Sequence, residues 1–207
     1  MQNGAQIEYD YSVAKAFTFA TILFGIIGMT IGVILAFQLA FPQLNYLAGE
    51  YGTFSRLRPL HTNGVAFGFA LSGIFAGWYY IGQRVLKVSL KESPFLMAVA
   101  KLHFVLYFIT ILLAVVTLFM GYTTSKEYAE LEWPLDILVV LWWVLWGVSI
   151  FGLIGIRRER TLYISLWYFI ATFIAVAMLY LFNNMEVPTA MVSGYGSWMH
   201  SVSMYAG

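Results

Sequence analysis

The chain has 207 residues, of which 61% are hydrophobic and only 10% charged, and its formal net charge is +1. A soluble domain carries about 25% charged residues, so the composition predicts an integral membrane protein. The small net charge gives no sign of a nucleic-acid partner, and the absence of cysteine excludes disulfides, thiolate metal sites and cysteine nucleophiles.

Five apolar segments reach the length of about 20 residues that a membrane-spanning helix needs. They are predicted, in chain order, at about 16–41, 62–85, 95–120, 135–156 and 162–182. Pro42 closes the first segment, and Pro94 and Pro134 lie where a first helical turn accepts proline. No linker, internal repeat or low-complexity tract interrupts the sequence. We therefore expect residues 1–207 to form one all-α, polytopic transmembrane bundle of five helices.

The distribution of Lys and Arg predicts the orientation of these helices. Eight of the eleven Lys and Arg residues lie in the N-terminal segment or at the second and fourth connections. The other three, Arg56, Arg58 and Lys126, belong to the first and third connections. Basic residues accumulate on the cytoplasmic side, so the N-terminus is predicted to be cytoplasmic and the first and third connections external.

The first external connection leads into the second helix through Arg56-Leu-Arg58-Pro-Leu-His61-Thr-Asn63. A histidine at a helix can ligate haem iron through a ring nitrogen, and arginine forks match the carboxylates of haem propionates. The alternative is an interfacial histidine bonded to the backbone, with two arginines in ordinary interfacial positions. An ionisable residue inside an apolar span nevertheless favours a functional hypothesis.

The other histidines do not complete a haem site. His103 is predicted at the inner end of the third helix, most of a ~30 Å bilayer away from His61, so the two cannot share an iron. Beside Lys101, His103 is expected to extend toward the cytoplasmic interface without a chemical role. His200 lies in the external tail at an undetermined position. The sequence therefore predicts half of a bis-histidine site.

The third connection carries Glu127, Glu130 and Glu132 on the external side. Three carboxylates within six residues can coordinate a hard cation such as Ca²⁺. The alternative is a solvated acidic loop without a ligand. The solvated loop is the commoner case, but proximity to the arginines, and to the haem propionates that they would bind, raises the metal hypothesis.

These motifs resemble the catalytic subunit of cbb3-type cytochrome c oxidases, within the haem–copper oxidase superfamily. The resemblance is carried by Arg56–Asn63 and by Gly121–Pro134, GYTTSKEYAELEWP, with support from Tyr79–Arg84 and Ala177–Asn184. It covers nearly the whole chain.

The resemblance implies roles for particular residues. His61 would be an axial ligand of the low-spin haem b, with Arg58 and also Arg56 holding its propionates. Glu127 would bind the calcium ion that bridges those propionates to a neighbouring monohaem cytochrome c subunit. Glu130 is a weaker candidate for the metal.

Glu130, together with Glu132, would otherwise support the calcium site or contact another subunit. The resemblance further implies a bacterial inner-membrane complex that contains monohaem and dihaem cytochrome c subunits. That complex reduces O₂ to water with electrons from cytochrome c and translocates protons. Its catalytic subunit has about twelve helices long enough to span the bilayer, so five correspond to an amino-terminal portion. The high-spin haem b and the copper B ion are then expected from the carboxyl portion of that subunit, and no catalytic residue from this one.

Two alternatives remain open from the sequence. One is a subunit resembling nitric oxide reductase, which would differ in metal-site residues beyond residue 207. The other is a haem-free polytopic assembly or transport protein, which would bind neither haem nor copper.

Overall fold

The computed structural model of the protein describes residues 7–47, 49–123, 129–184, 186–188 and 201–203. Within these residues, five helices are long and apolar enough to cross a membrane. They are α1 (Ser12–Ala40), α2 (Phe54–Leu86), α3 (Pro94–Met120), α4 (Trp133–Gly155) and α5 (Ile164–Asn183). The prediction of an all-α membrane bundle with five spanning helices is confirmed.

Short elements occupy the regions between and after these helices. One helical turn, Leu44–Leu47, follows α1, and a 3₁₀ turn, Leu90–Glu92, precedes α3. After α5, two three-residue strands, β1 (Glu186–Pro188) and β2 (Ser201–Ser203), pair antiparallel with Val187 opposite Val202.

The ends of α3 follow directly from local sequence. Ser93 precedes the helix in an extended conformation, and its hydroxyl accepts a hydrogen bond from the Leu96 N–H at 3.3 Å. Pro94 occupies the first turn, where its missing N–H costs nothing. Gly121 ends the helix with a φ of +88°, a left-handed conformation that glycine adopts without strain.

The second spanning helix begins earlier than predicted. It starts at Phe54 after an extended Thr53, whereas the sequence predicted a start at Thr62. The prediction followed the apolar run alone and so left out this first stretch, which carries Arg56, Arg58 and Pro59. His61 therefore lies within α2 rather than at its beginning.

Helix α2 also changes its hydrogen-bonding pattern along its length. It is α-helical over Phe54–Asn63, π-helical over Gly64–Ala70 and α-helical again from Leu71 to Leu86. Segments of π-helix are rare and are frequently found at functional sites. This one begins three residues after His61.

The centre of the bundle is aromatic. Phe75 of α2 packs edge-on against Trp142 and Trp146 of α4, with ring centroids 5.7 and 4.8 Å apart, and against Tyr107 of α3 at 5.5 Å. All four side chains are at most 1% exposed. Such offset and edge-on contacts add to the stabilisation from burial, about 0.5–1.5 kcal/mol for each pair.

His103 lies inside this aromatic core, so its predicted position at the cytoplasmic interface is wrong. Its side chain is 0% exposed and its ring centroid lies 4.7 Å from that of Phe75 and 4.9 Å from that of Phe17. The Tyr79 hydroxyl forms a hydrogen bond with Nδ1 at 2.9 Å. This bond and the surrounding rings hold the imidazole inward, which hydropathy along the sequence could not reveal.

Helix α5 lies at the periphery of the bundle. Leu166 is its one buried residue within the described part of the chain. The indole Nε1 of Trp143 in α4 donates to the Phe173 carbonyl at 3.2 Å, and the Tyr180 hydroxyl donates to Asp136 Oδ1 at 2.5 Å. A few specific contacts therefore attach α5 to the other helices.

Candidate functional site

His61 lies against two glycines, Gly28 and Gly32, on one face of α1. Its Nδ1 atom is 2.7 Å from the carbonyl oxygen of Gly28. A Cβ atom built on Gly32 would lie 2.6 Å from His61 Cε1, closer than real Cβ contacts come. The imidazole thus fills space that is available only because residue 32 is glycine.

The hydrogen bond to Gly28 determines which ring nitrogen can act as a ligand. A carbonyl oxygen only accepts, so Nδ1 carries the proton and, in the neutral ring, Nε2 keeps its lone pair. This is the only hydrogen bond of the imidazole among the described residues. Metal-binding histidines commonly donate one N–H to a backbone carbonyl, which orients the ring and makes the other nitrogen a better ligand. The arrangement fits a haem ligand, although a backbone-bonded structural histidine would make the same contact.

Three glycines on one face of α1 allow the two helices to approach closely. Gly25, Gly28 and Gly32 are spaced three and four residues apart, the spacing of one helical face. A Cβ atom on Gly25 would lie 2.8 Å from the Phe69 ring of α2, and one on Gly28 would lie 3.1 Å from Val65 Cγ2. This glycine face was not predicted, although its spacing is visible in the sequence and is typical of close helix packing in membranes.

The two arginines of the motif have different surroundings. Arg58 is exposed and precedes His61 by three positions, so both residues lie on the same face of α2. The guanidinium of Arg56 instead lies 3.4 Å from the Glu50 carboxylate, and its Nη1 donates to the Phe119 carbonyl at the end of α3, also at 3.4 Å. Arg58 is therefore the arginine that the helix brings to the side of His61.

Glu130 is buried beside α2. It is 4% exposed, and its Oε2 accepts a hydrogen bond from Asn63 Nδ2 at 3.1 Å, while the same amide nitrogen lies 2.9 Å from the Pro59 carbonyl. Glu132 is 5% exposed. For these two carboxylates the alternative of a solvated acidic loop is wrong, because the segment folds back against the bundle.

Glu127 and His200 lie outside the described residues. Within the described residues, no group of three or more His, Asp or Glu side chains is arranged to hold a metal ion. Glu130 thus offers one carboxylate near the motif, and the calcium site stays a prediction.

Comparison with known proteins places these features in a family. The sequence pattern of the family described as "Cytochrome C and Quinol oxidase polypeptide I" matches residues 12–206. The chain is 40% identical over 207 residues to the cbb3-type cytochrome c oxidase subunit CcoN1 of Stutzerimonas stutzeri. It is 37% identical over 204 residues to cytochrome c oxidase subunit 1 of Rhodobacter capsulatus.

The matched proteins are considerably longer than this chain. The match spans all of the chain but 41% of the Stutzerimonas subunit, namely its amino-terminal part. It spans 97% of the chain and 36% of the Rhodobacter subunit. A homologue of subunit 1 from Agrobacterium tumefaciens (strain T37) is 34% identical over 89% of the chain and 33% of its own length.

Proposed function

This chain belongs to the cytochrome c and quinol oxidase polypeptide I family, and from that premise we propose that it forms the amino-terminal portion of a cbb3-type oxidase catalytic subunit. The chain's contribution would be one half of a low-spin haem b site at the outer end of α1 and α2. The observation that carries this proposal is the 40% identity to a cbb3-type subunit over the whole chain. The 2.7 Å contact between His61 Nδ1 and the Gly28 carbonyl supports His61 as the ligand, because it leaves the lone pair on Nε2.

His61 would bind the haem iron through Nε2. Haem supplies an iron that gains and loses one electron reversibly, and the axial ligands and their hydrogen bonds tune its potential. Gly28 would fix the ring orientation and the tautomer, and Gly32 would provide the space that the ring occupies. The second axial ligand would come from another part of the complete subunit.

Arg58 would hold the haem propionates. A guanidinium presents a planar fork of N–H donors that matches a carboxylate, and Arg58 lies on the same face of α2 as His61. Arg56 would have to exchange its contacts with Glu50 and the Phe119 carbonyl to take part. Because Arg58 lies three positions before His61 on the same face of α2, we assign the principal role to Arg58.

The acidic segment would bind calcium next to the propionates. Glu127 is the proposed ligand, on the resemblance alone, with Glu130 as the weaker candidate. Support for Glu130 comes from its hydrogen bond to Asn63, which is two residues from His61 along α2. Anionic propionates and carboxylates together would require such a counter-ion, and oxygen donors are the ligands that Ca²⁺ prefers.

The complete subunit would reduce O₂ to water with electrons from cytochrome c, coupled to proton translocation. The high-spin haem b and copper B would be bound by the carboxyl portion of the subunit. The proposed partners are membrane lipid and membrane-anchored monohaem and dihaem cytochrome c subunits. The proposed location is the bacterial inner membrane, with the N-terminus in the cytoplasm as the Lys and Arg distribution predicts.

The test is a histidine exchange in the complete, assembled complex. In His61→Ala, we expect loss of the low-spin haem b signal from the reduced-minus-oxidised spectrum. His103→Asn is the matched control, because His103 is enclosed by aromatic rings and an amide can still bond to the Tyr79 hydroxyl. An unchanged low-spin spectrum in His61→Ala would disprove the ligand assignment.

A further inference from the structure

The π-helical segment Gly64–Ala70 leaves a backbone carbonyl without its α-helical partner. At the end of this segment, the N–H of Leu71 donates to the carbonyl of Ala66. In a regular α-helix it would donate to the carbonyl of Phe67, four residues back. The Phe67 carbonyl consequently needs a donor from elsewhere.

Tyr107 of α3 supplies that donor. Its hydroxyl lies 2.6 Å from the Phe67 carbonyl oxygen and 2.9 Å from that of Gly68. Ser72 contributes a second hydroxyl, 2.5 Å from the Gly68 carbonyl and 2.9 Å from that of Phe69. Water is scarce in the membrane interior, so a carbonyl that lost these donors would stay unsatisfied.

The π-helical segment also determines which way His61 faces. Successive residues of an α-helix are rotated by about 100° around its axis. A π-helical turn contains one extra residue, so it rotates the part of the helix before it by about 100° relative to the part after it. With the segment in place, the imidazole meets Gly28 and Gly32 of α1. Without it, the outer part of α2 would turn His61 away from the glycine face.

We propose that Tyr107 is a positioning residue for the haem ligand: its hydroxyl stabilises the π-helical segment and so fixes the orientation of His61. The inference rests on the proposed role of His61 as a haem ligand. The Tyr107 hydroxyl bonds to the carbonyls of Phe67 and Gly68, so it would act through the backbone of α2.

The decisive variant removes only the hydroxyl. In Tyr107→Phe, the ring keeps its contacts with Phe17 and Trp142, whose centroids both lie 5.4 Å away. Tyr79→Phe is the matched control. Tyr79 is equally buried, but its hydroxyl bonds to the His103 side chain rather than to the π-helical backbone.

The first measurement does not depend on haem. Hydrogen exchange at the amides of Gly64–Leu71 is followed by mass spectrometry in the assembled complex. Tyr107→Phe should exchange about fivefold faster than the unmodified protein, the ratio expected for one lost hydrogen bond, and Tyr79→Phe should not. Equal exchange in the two variants would overturn the proposal.

The second measurement follows the haem. Tyr107→Phe should shift the midpoint potential and the electron paramagnetic resonance g-values of the low-spin haem, while Tyr79→Phe should leave both unchanged. Faster exchange with an unaltered potential and spectrum would show that the segment does not position the ligand, and would overturn the proposal. Should Tyr107→Phe fail to assemble, Ser72→Ala is measured in the same way and should give smaller changes in the same direction.

The two proposals can fail separately. Retention of the low-spin spectrum in His61→Ala would disprove the ligand assignment, whereas the exchange rates still report on the π-helical segment. Loss of haem in His61→Ala together with unaltered exchange in Tyr107→Phe would leave the ligand assignment standing and reject the role of Tyr107.

Discussion

The amide of Asn63 donates to the carboxylate of Glu130 at 3.1 Å, and this bond joins the histidine-bearing part of α2 to the acidic segment that precedes α4. Both side chains are buried, at 7% and 4% exposure. Two motifs that are 67 positions apart in sequence are therefore adjacent in the fold. The bond links the position of the acidic segment to that of His61.

Replacing Asn63 should show how much this bond contributes. In Asn63→Ala, we expect a loss of about 1–3 kcal/mol in the free energy of unfolding, because a buried carboxylate loses a donor. Asn63→Asp should be worse, since it places a second carboxylate beside the first. Both are measured by SDS unfolding in mixed micelles, with Glu130→Ala completing a double-mutant cycle. Additive losses in the cycle would show that the two residues do not interact.

A methyl group at Gly32 should displace His61. The added carbon of Gly32→Ala would lie 2.6 Å from His61 Cε1, so the ring or the helix has to move. We expect reduced haem content and a shifted low-spin spectrum in the assembled complex. Gly73→Ala is the control, because its Cβ would lie 3.7 Å from Thr21 Cγ2, an ordinary contact. Equal spectra for the two variants would contradict the close contact at His61.

The sequence predicted the spanning helices well because hydropathy and length are enough to identify a helix that crosses a bilayer. It misplaced the start of α2 because the prediction followed the apolar run, whereas the helix already includes the polar stretch that contains Pro59. His61 was identified by its motif. Its orientation was not, since the Gly28 partner is a backbone carbonyl that any residue would possess. The π-helical segment likewise depends on which N–H bonds to which carbonyl, and hydropathy carries no such information.

Long-range packing accounts for the other differences. His103 was placed at the interface by its distance from the helix end, yet the rings of Phe17 and Phe75 enclose it. Glu130 was predicted in a connecting loop, whereas the structure shows it accepting a hydrogen bond from Asn63. In both cases the partner belongs to another helix, and no local pattern in the sequence identifies it.

The attachment of α5 should depend on Tyr180. Its hydroxyl donates to Asp136 Oδ1 of α4 at 2.5 Å, which is a short hydrogen bond. Helix α5 itself has little other buried surface. In Tyr180→Phe, we expect a loss of about 1–3 kcal/mol, because a buried carboxyl oxygen loses this donor, and faster hydrogen exchange across Ile164–Asn183. Tyr168→Phe, at a side chain 71% exposed, is the control and should behave like the unmodified protein. Indistinguishable exchange in the two variants would show that the bond does not hold α5.

The connection between α4 and α5 should loosen outside a neutral pH window. Lys87 Nζ donates to Glu159 Oε2 at 2.7 Å, and the Leu86 carbonyl accepts from the backbone N–H groups of Arg158 and Glu159. The hydrogen bond from Lys87 lowers the pKa of Glu159 below its ordinary 4.5. The same bond raises the pKa of Lys87 above its ordinary 10.5.

The signs of these shifts define the window. A lowered carboxyl pKa stabilises the folded connection above pH 4.5, and the contribution is lost as pH falls through the folded value. A raised ammonium pKa stabilises it below pH 10.5, and that contribution is lost as pH rises through the folded value. Hydrogen exchange across residues 156–163, corrected for the intrinsic pH dependence of exchange, should therefore be slowest between these limits and accelerate on acidification. Glu159→Gln should show a smaller acceleration, because its amide does not titrate, although the Arg158–Glu92 ion pair at 2.9 Å remains. An identical acid response in Glu159→Gln would mean that this carboxylate does not control the connection.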